Sequence, residues 1–164
     1  MKSPYPVLLG GEREMLEAWL DWHRDALARK CAGLPAEQLR QRAVPPSTMS
    51  LLGLVRHMAE VERGWFRRRI AGQDIARLYC GVDDDGDFDN VDDADVDEAF
   101  TTWRAECEAA REVMRGVESL DRTFEMRGGT LSVRWALVHM IEEYARHNGH
   151  ADLLRECLDG SKGL

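Results

Sequence analysis

The stretch HMIEEYARHNGH, residues 139–150, sets three of the chain's five histidines and two glutamates within twelve positions. Imidazole nitrogen and carboxylate oxygen are the donors with which proteins hold borderline divalent cations, so the chemistry suggested is metal binding. On a helix turning about 100° per residue, with His139 at zero, Glu143 falls near 40°, His147 near 80° and His150 near 20°. The four therefore share one face. Met140, Leu154 and Leu158 lie on the same side, so the stripe does not point wholly into water. Polar groups placed there are costly unless they pair or coordinate something. Glu143 and His147, one turn apart, are the best pair to grip one ion. His139 and His150 are placed to orient ligands, to meet substrate, or to replace a member of the ligand set.

A complementary donor must come from a second element. His57 stands at helical spacing among Leu54, Met58, Val61 and Trp65, inside the apolar face of its own helix. If that helix packs on the 139–150 helix, His57 meets the polar stripe near the middle of the protein, where bundles build metal sites from facing helices. Helical periodicity occurs four times: from about Glu12 to Ala32, closed by Gly33; from a cap at Ser47 or Ser50 to about Ala71, closed by Gly72; from about Val96 to Val117; and from about Ser132 to Leu158, closed by Gly160. No strand-type alternation stands out. The expectation is an all-α protein, a four-helix bundle forming a single domain over residues 1–164, with a long connection between helices two and three.

Charge narrows the function classes. Of 30 acidic groups, ten lie in GVDDDGDFDNVDDADVDE, residues 81–98, and the twenty elsewhere face 22 basic ones. A nearly neutral body without a basic stripe argues against nucleic acid as partner. The acidic run reads as a solvated, mobile loop. A calcium loop is disfavoured, because aligning Gly86 with the invariant EF-hand glycine puts Gly81 at the first ligand position and Asp92 where a bidentate glutamate belongs. The Arg67–Arg69 run reads as a solvated helix end, His23 as surface or packing, and Asp152, Arg155 and Glu156 as exposed pairs. Trp19, Trp65, Trp103 and Trp135 read as core. Cys31, Cys80, Cys107 and Cys157 form no C-x-x-C pair, and most read as small core residues. No apolar run is long enough to span a membrane, and a reducing cytoplasm is the expected location.

SLLGLVRHMAEVERGWF (residues 50–66) and LSVRWALVHMIEEYARHNGHADLLRECLDG (residues 131–160) resemble the DinB superfamily in its DUF664 branch, and helix count and loop placement extend the likeness over nearly the whole chain. The resemblance implies an up-down-down-up four-helix bundle that binds a divalent metal through one ligand of helix two and two of helix four, positions held here by His57, Glu143 and His147. Many DinB proteins use three histidines; the glutamate is similar instead to the mycothiol-dependent maleylpyruvate isomerases. It thereby implies transfer or isomerisation chemistry with a low-molecular-weight thiol such as mycothiol, an electrophilic second substrate, and a possible homodimer. Zinc is the first expectation, with nickel, iron or manganese as alternatives. Three protein ligands leave a position open, where a thiol would lose its proton and become a nucleophile, or where water would become a hydrolytic one. In that reading His150 and His139 orient ligands or shuttle protons, and Arg134 and Arg146, the cofactor-binding candidates, engage an anionic substrate. The competing expectations are a metal-dependent hydrolase, an iron(II) oxygenase with two histidines and one carboxylate, and a metal-stabilised interaction module without catalysis.

Overall fold

A computed structural model describes residues 5–6, 9–81 and 85–163. It is mostly helical. Helix α1 spans Glu12–Cys31, α2 Ala36–Arg40, α3 Leu51–Glu62, α4 Gly86–Asp89, α5 Val96–Arg115 and α6 Val133–Asp159. Helix α3 continues without a break into a π-helical segment, Arg63–Ile70, in which the Ala71 amide reaches back five residues to the Phe66 carbonyl.

The ends of the long helices are set by side chains. Ser50 accepts from the Gly53 N–H at 3.0 Å, Asp95 from Glu98 at 3.0 Å and Ser132 from Trp135 at 3.1 Å, each satisfying a first-turn donor that the helix leaves open. Between the two candidate caps of the second helix, the structure uses Ser50. Gly160 closes α6 with φ 77°, a left-handed cap that favours glycine.

Helix α1 lies along α6, α3 along α5, and α3 also meets α6. The faces that meet are apolar: Leu51, Leu54, Val55 and Met58 of α3 and Leu137, Met140, Tyr144 and Ala151 of α6 are wholly buried. One buried polar knot ties all four long helices together. Arg24 of α1 donates from Nε and Nη2 to the two oxygens of Glu62 on α3, both at 2.7 Å; Tyr144 of α6 donates to the same carboxylate at 2.8 Å, and Trp103 of α5 donates to the Tyr144 hydroxyl at 2.9 Å. Glu62 has 0% exposure, so this network must satisfy its charge without water.

Several expectations need correction. A two-stranded antiparallel sheet, β1 Thr123–Met126 and β2 Gly129–Ser132, precedes α6, with Phe124 opposite Leu131 and Met126 opposite Gly129. Its turn uses Gly128 at φ 111° and Gly129 at φ 145°, a region that side chains disfavour. The acidic connection is not simply a solvated loop: α4 folds within it and packs on α3, and Asp87 and Val91 are buried. Residues 82–84 lie outside the described residues. Trp135 is 46% exposed and so is not core. Cys31 and Cys107 are buried, but Cys80 is half-buried and Cys157 exposed, and all four are free. Asp152 pairs with Lys30 across the α1–α6 seam, whereas Arg155 pairs with Asp159 at 2.8 Å within α6. His23 packs against Trp19 and Trp22. Among the described residues, no helix is long and apolar enough to cross a membrane.

Candidate metal centre

Helices α3 and α6 bring His57, Glu143 and His147 together: one ligand atom from each lies within 4.8 Å of the others. The spacing inside α6 explains half of this. Glu143 and His147 stand one turn apart, and Glu143 Oε2 lies 3.4 Å from His147 Nε2. Packing of α3 on α6 supplies the rest, placing the His57 and His147 rings 4.7 Å apart between centroids.

Each imidazole is held by its other nitrogen. His57 Nδ1 lies 2.7 Å from Asp87 Oδ2. Asp87 is 3% exposed, and its second oxygen accepts from the Phe88 N–H at 3.0 Å. Burial pushes the Asp87 carboxyl up, but the hydrogen bond and charge of His57, the Cys80 thiol and the Phe88 amide together hold it below the ordinary carboxylate value. It is therefore an anion at neutral pH and accepts a hydrogen bond from the Nδ1–H of His57, which leaves Nε2 as the ring atom free to ligate. His147 Nδ1 lies 3.3 Å from His150 Nδ1, a longer contact between two imidazoles that occupies the nitrogen on the far side of that ring. Burial, and then the neighbouring His57, His150 and Arg146, push His147 down to about 3, so it is neutral at pH 7.

Asp87 and α4 were not expected at the site. Phe88 stacks on His57 with centroids 4.9 Å apart. The approach depends on Gly53, where an added Cβ would stand 3.0 Å from Phe88 Cδ1 and 3.2 Å from Ser50 Oγ. Arg56 clamps the helix start by donating to the carbonyls of Gly86 at 3.0 Å and Asp87 at 3.1 Å. The available signal was the pair Phe88 and Val91, apolar residues inside an otherwise acidic run.

The other sequence candidates are distributed around this group. His139 sits one turn before Glu143, with Nε2 3.5 Å from Glu143 Oε1, and is flanked by Trp135 and Trp65 at 5.1 and 4.7 Å. His139, Glu142 and Glu143 form a second possible ligand cluster sharing Glu143, though Glu142 is exposed and Arg146 neutralises both glutamates, at 2.6 and 3.1 Å. Arg146 thus lies at the site through Glu143. Arg134 does not: it is engaged by Glu12 at 2.7 Å and by Asp121.

No curated protein matches the sequence. A crystal structure of a conserved protein from Enterococcus faecalis superposes with a TM-score of 0.67, covering 93% of this chain and 100% of that one at 13% identity, a likeness of fold alone. The family model described as mycothiol-S-transferase matches residues 15–160, and the chain belongs to that DinB-like family.

Proposed function

We propose that the protein is a metal-dependent thiol S-transferase that joins a low-molecular-weight thiol such as mycothiol to a small electrophile, with His57, Glu143 and His147 as the metal ligands. The observation that carries this reading is the convergence of two imidazoles and one carboxylate within 4.8 Å, with both Nδ1 atoms already engaged. The donor set fits a divalent cation. A carboxylate 3.4 Å from a neutral, buried imidazole nitrogen is too far for a strong hydrogen bond, and a cation between them would give both donor atoms a partner. Zinc suits two nitrogens and one oxygen, as do nickel, iron and manganese.

A bound cation would supply a Lewis acid that favours the thiolate form of an incoming thiol at neutral pH. The chain's own residues do the rest. Asp87 fixes the His57 ring through Nδ1, and Arg146 holds Glu143. His150, partly exposed and in contact with His147 Nδ1, is placed to carry a proton between the site and solvent, and His139 is placed to meet substrate beside Glu143. Phe88, Trp65 and Trp135 give the reactants apolar walls and exclude water. In the reaction a carbon–sulfur bond forms, the bond from carbon to the leaving group breaks, and the thiol proton passes to solvent. The wider frame of this proposal is a single-domain, up-down-down-up bundle built by α1, α3, α5 and α6.

The test is conjugation of mycothiol to a reactive alkyl halide. Chelation should abolish turnover and zinc should restore it; His57→Ala and Glu143→Gln should lose metal and activity while remaining folded. Undiminished turnover in stripped protein would overturn metal dependence. Ester or amide hydrolysis that needs zinc and no thiol would favour the hydrolase, which shares this site.

A further inference from the structure

A second polar site lies beyond Trp65. The π-helical segment and the chain after it enclose a pocket of about 240 Å³ lined by Gly64, Arg68, Arg69, Gln73, Asp74 and Arg77. Three guanidinium groups there face one carboxylate. The neighbouring arginines are neutralised: Arg63 and Arg67 both donate to Glu106, at 2.6 and 3.0 Å. Among the described residues, Arg68 and Arg69 have no such acceptor. Arg69 is only partly exposed, lying over the Trp65 ring at 4.6 Å, with Nη1 3.0 Å from the point a Cβ on Gly64 would occupy. A Cβ at position 64 would make the guanidinium give way by a few tenths of an ångström, so the glycine lets it lie close to the helix. Burial, and then the charges of Arg68 and Arg77, hold the Arg69 guanidinium below its ordinary value, as expected where three cations share one carboxylate. The Arg67–Arg69 run is therefore not simply a solvated helix end, and π-helical segments often mark functional positions.

The pocket is one indole away from the metal ligands. Trp65, whose ring carries Arg69, also packs on His139 at 4.7 Å, and His139 lies 3.5 Å from Glu143. We propose that Arg68, Arg69 and Arg77 form an anion subsite that binds a carboxylate on the electrophilic reactant, anchoring it so that its body crosses Trp65 toward His57, Glu143 and His147. Planar guanidinium groups pair with carboxylates through two parallel hydrogen bonds, which fixes direction as well as affinity. The pocket itself stands on its own residues; only the identity of its occupant as a reactant rests on the proposed transferase activity.

The experiment titrates succinate into the full chain at constant ionic strength, following the Trp65 indole N–H by NMR, in wild type, Arg68→Gln, Arg69→Gln and Arg77→Gln. Succinate should shift that resonance, and each variant should weaken binding at least fivefold. His57→Ala should bind succinate as wild type does, so loss of the metal reading would leave this result standing. With zinc and mycothiol, comparison of an electrophilic acid with its methyl ester assigns the occupant. In the three variants the KM should rise about tenfold for the acid beyond any change for the ester; equal changes for acid and ester would overturn the electrophile's carboxylate as the occupant. No response of Trp65 to succinate, or wild-type binding in all three variants, would overturn the subsite.

Discussion

Replacing Asp87 by asparagine probes the least visible part of the metal centre. Both carboxylate oxygens are committed, one to the Phe88 N–H at 3.0 Å and the other to His57 Nδ1 at 2.7 Å, and at 3% exposure no solvent can substitute for either. A carboxamide has a single acceptor end. If that oxygen keeps the ring, the NH2 faces the Phe88 donor and a buried hydrogen bond is lost, a cost of about 1–3 kcal/mol to the fold. If the NH2 faces the ring, Nδ1 must accept, the proton moves to Nε2, and the nitrogen turned toward Glu143 and His147 can no longer ligate. In both cases the anion that holds the His57 ring is gone. Loss of such a partner weakens metal affinity about 10- to 100-fold, or roughly 1.4–2.7 kcal/mol. The assay is a zinc titration against a chromophoric chelator, with thermal melts of metal-free protein to separate folding from binding. Asp89→Asn, which makes the same charge change at an exposed position of α4, is the control. Zinc affinity within twofold of wild type in folded Asp87→Asn would refute the orienting role.

The buried knot sets a larger effect on the fold. Arg24→Ala leaves the wholly buried Glu62 charge with only Tyr144 and Cys107 as donors, and should cost about 3–5 kcal/mol in chemical denaturation; a loss below 1 kcal/mol would show that Glu62 is not held as described. Gly53→Ala should favour the helix by propensity yet lower zinc affinity, because the added methyl meets Phe88 and displaces α4; unchanged affinity would mean that α4 yields without consequence. Acid should destabilise the metal-free protein through His147. Its folded value is pushed down to about 3 while the unfolded value is about 6.5, so below about 6.5 the unfolded chain takes up a proton that the folded ring refuses. Stability from this group is complete above about 6.5 and falls toward pH 3, by at most about 1.4 kcal/mol per pH unit. His147→Gln should flatten the decline in melting temperature between pH 7 and 4, and parallel curves would contradict the assignment.

What could be seen in the sequence followed the range of the interactions involved. The four long helices carry their own periodicity and end at local signals such as Ser132 and Gly160, and the alignment of Glu143 with His147 is fixed by helical pitch. His57 could be placed on an apolar face, but its meeting with α6 needed the packing of two helices. Asp87 was hidden because composition describes an acidic run by its average. The turn of α4 inward depends on Gly53, Arg56 and His57, some thirty residues earlier. Glu62 was equally silent, since its partners come from three other helices. The hairpin before α6 had a signal in Arg127–Gly129, but four-residue strands are too short for alternation to register. The Arg67–Arg69 run was read from its charge, whereas its π-helical course separates Arg67, paired with Glu106, from Arg69 on Trp65.

The most direct measurement is an anomalous-difference map, collected across the zinc edge, from a crystal of zinc-loaded protein. A transferase centre of the kind proposed requires one strong peak bound by His57 Nε2, His147 Nε2 and a Glu143 oxygen at about 2.0–2.2 Å each. A peak seated instead between His139, Glu142 and Glu143, or His57 left outside the coordination sphere, would contradict it.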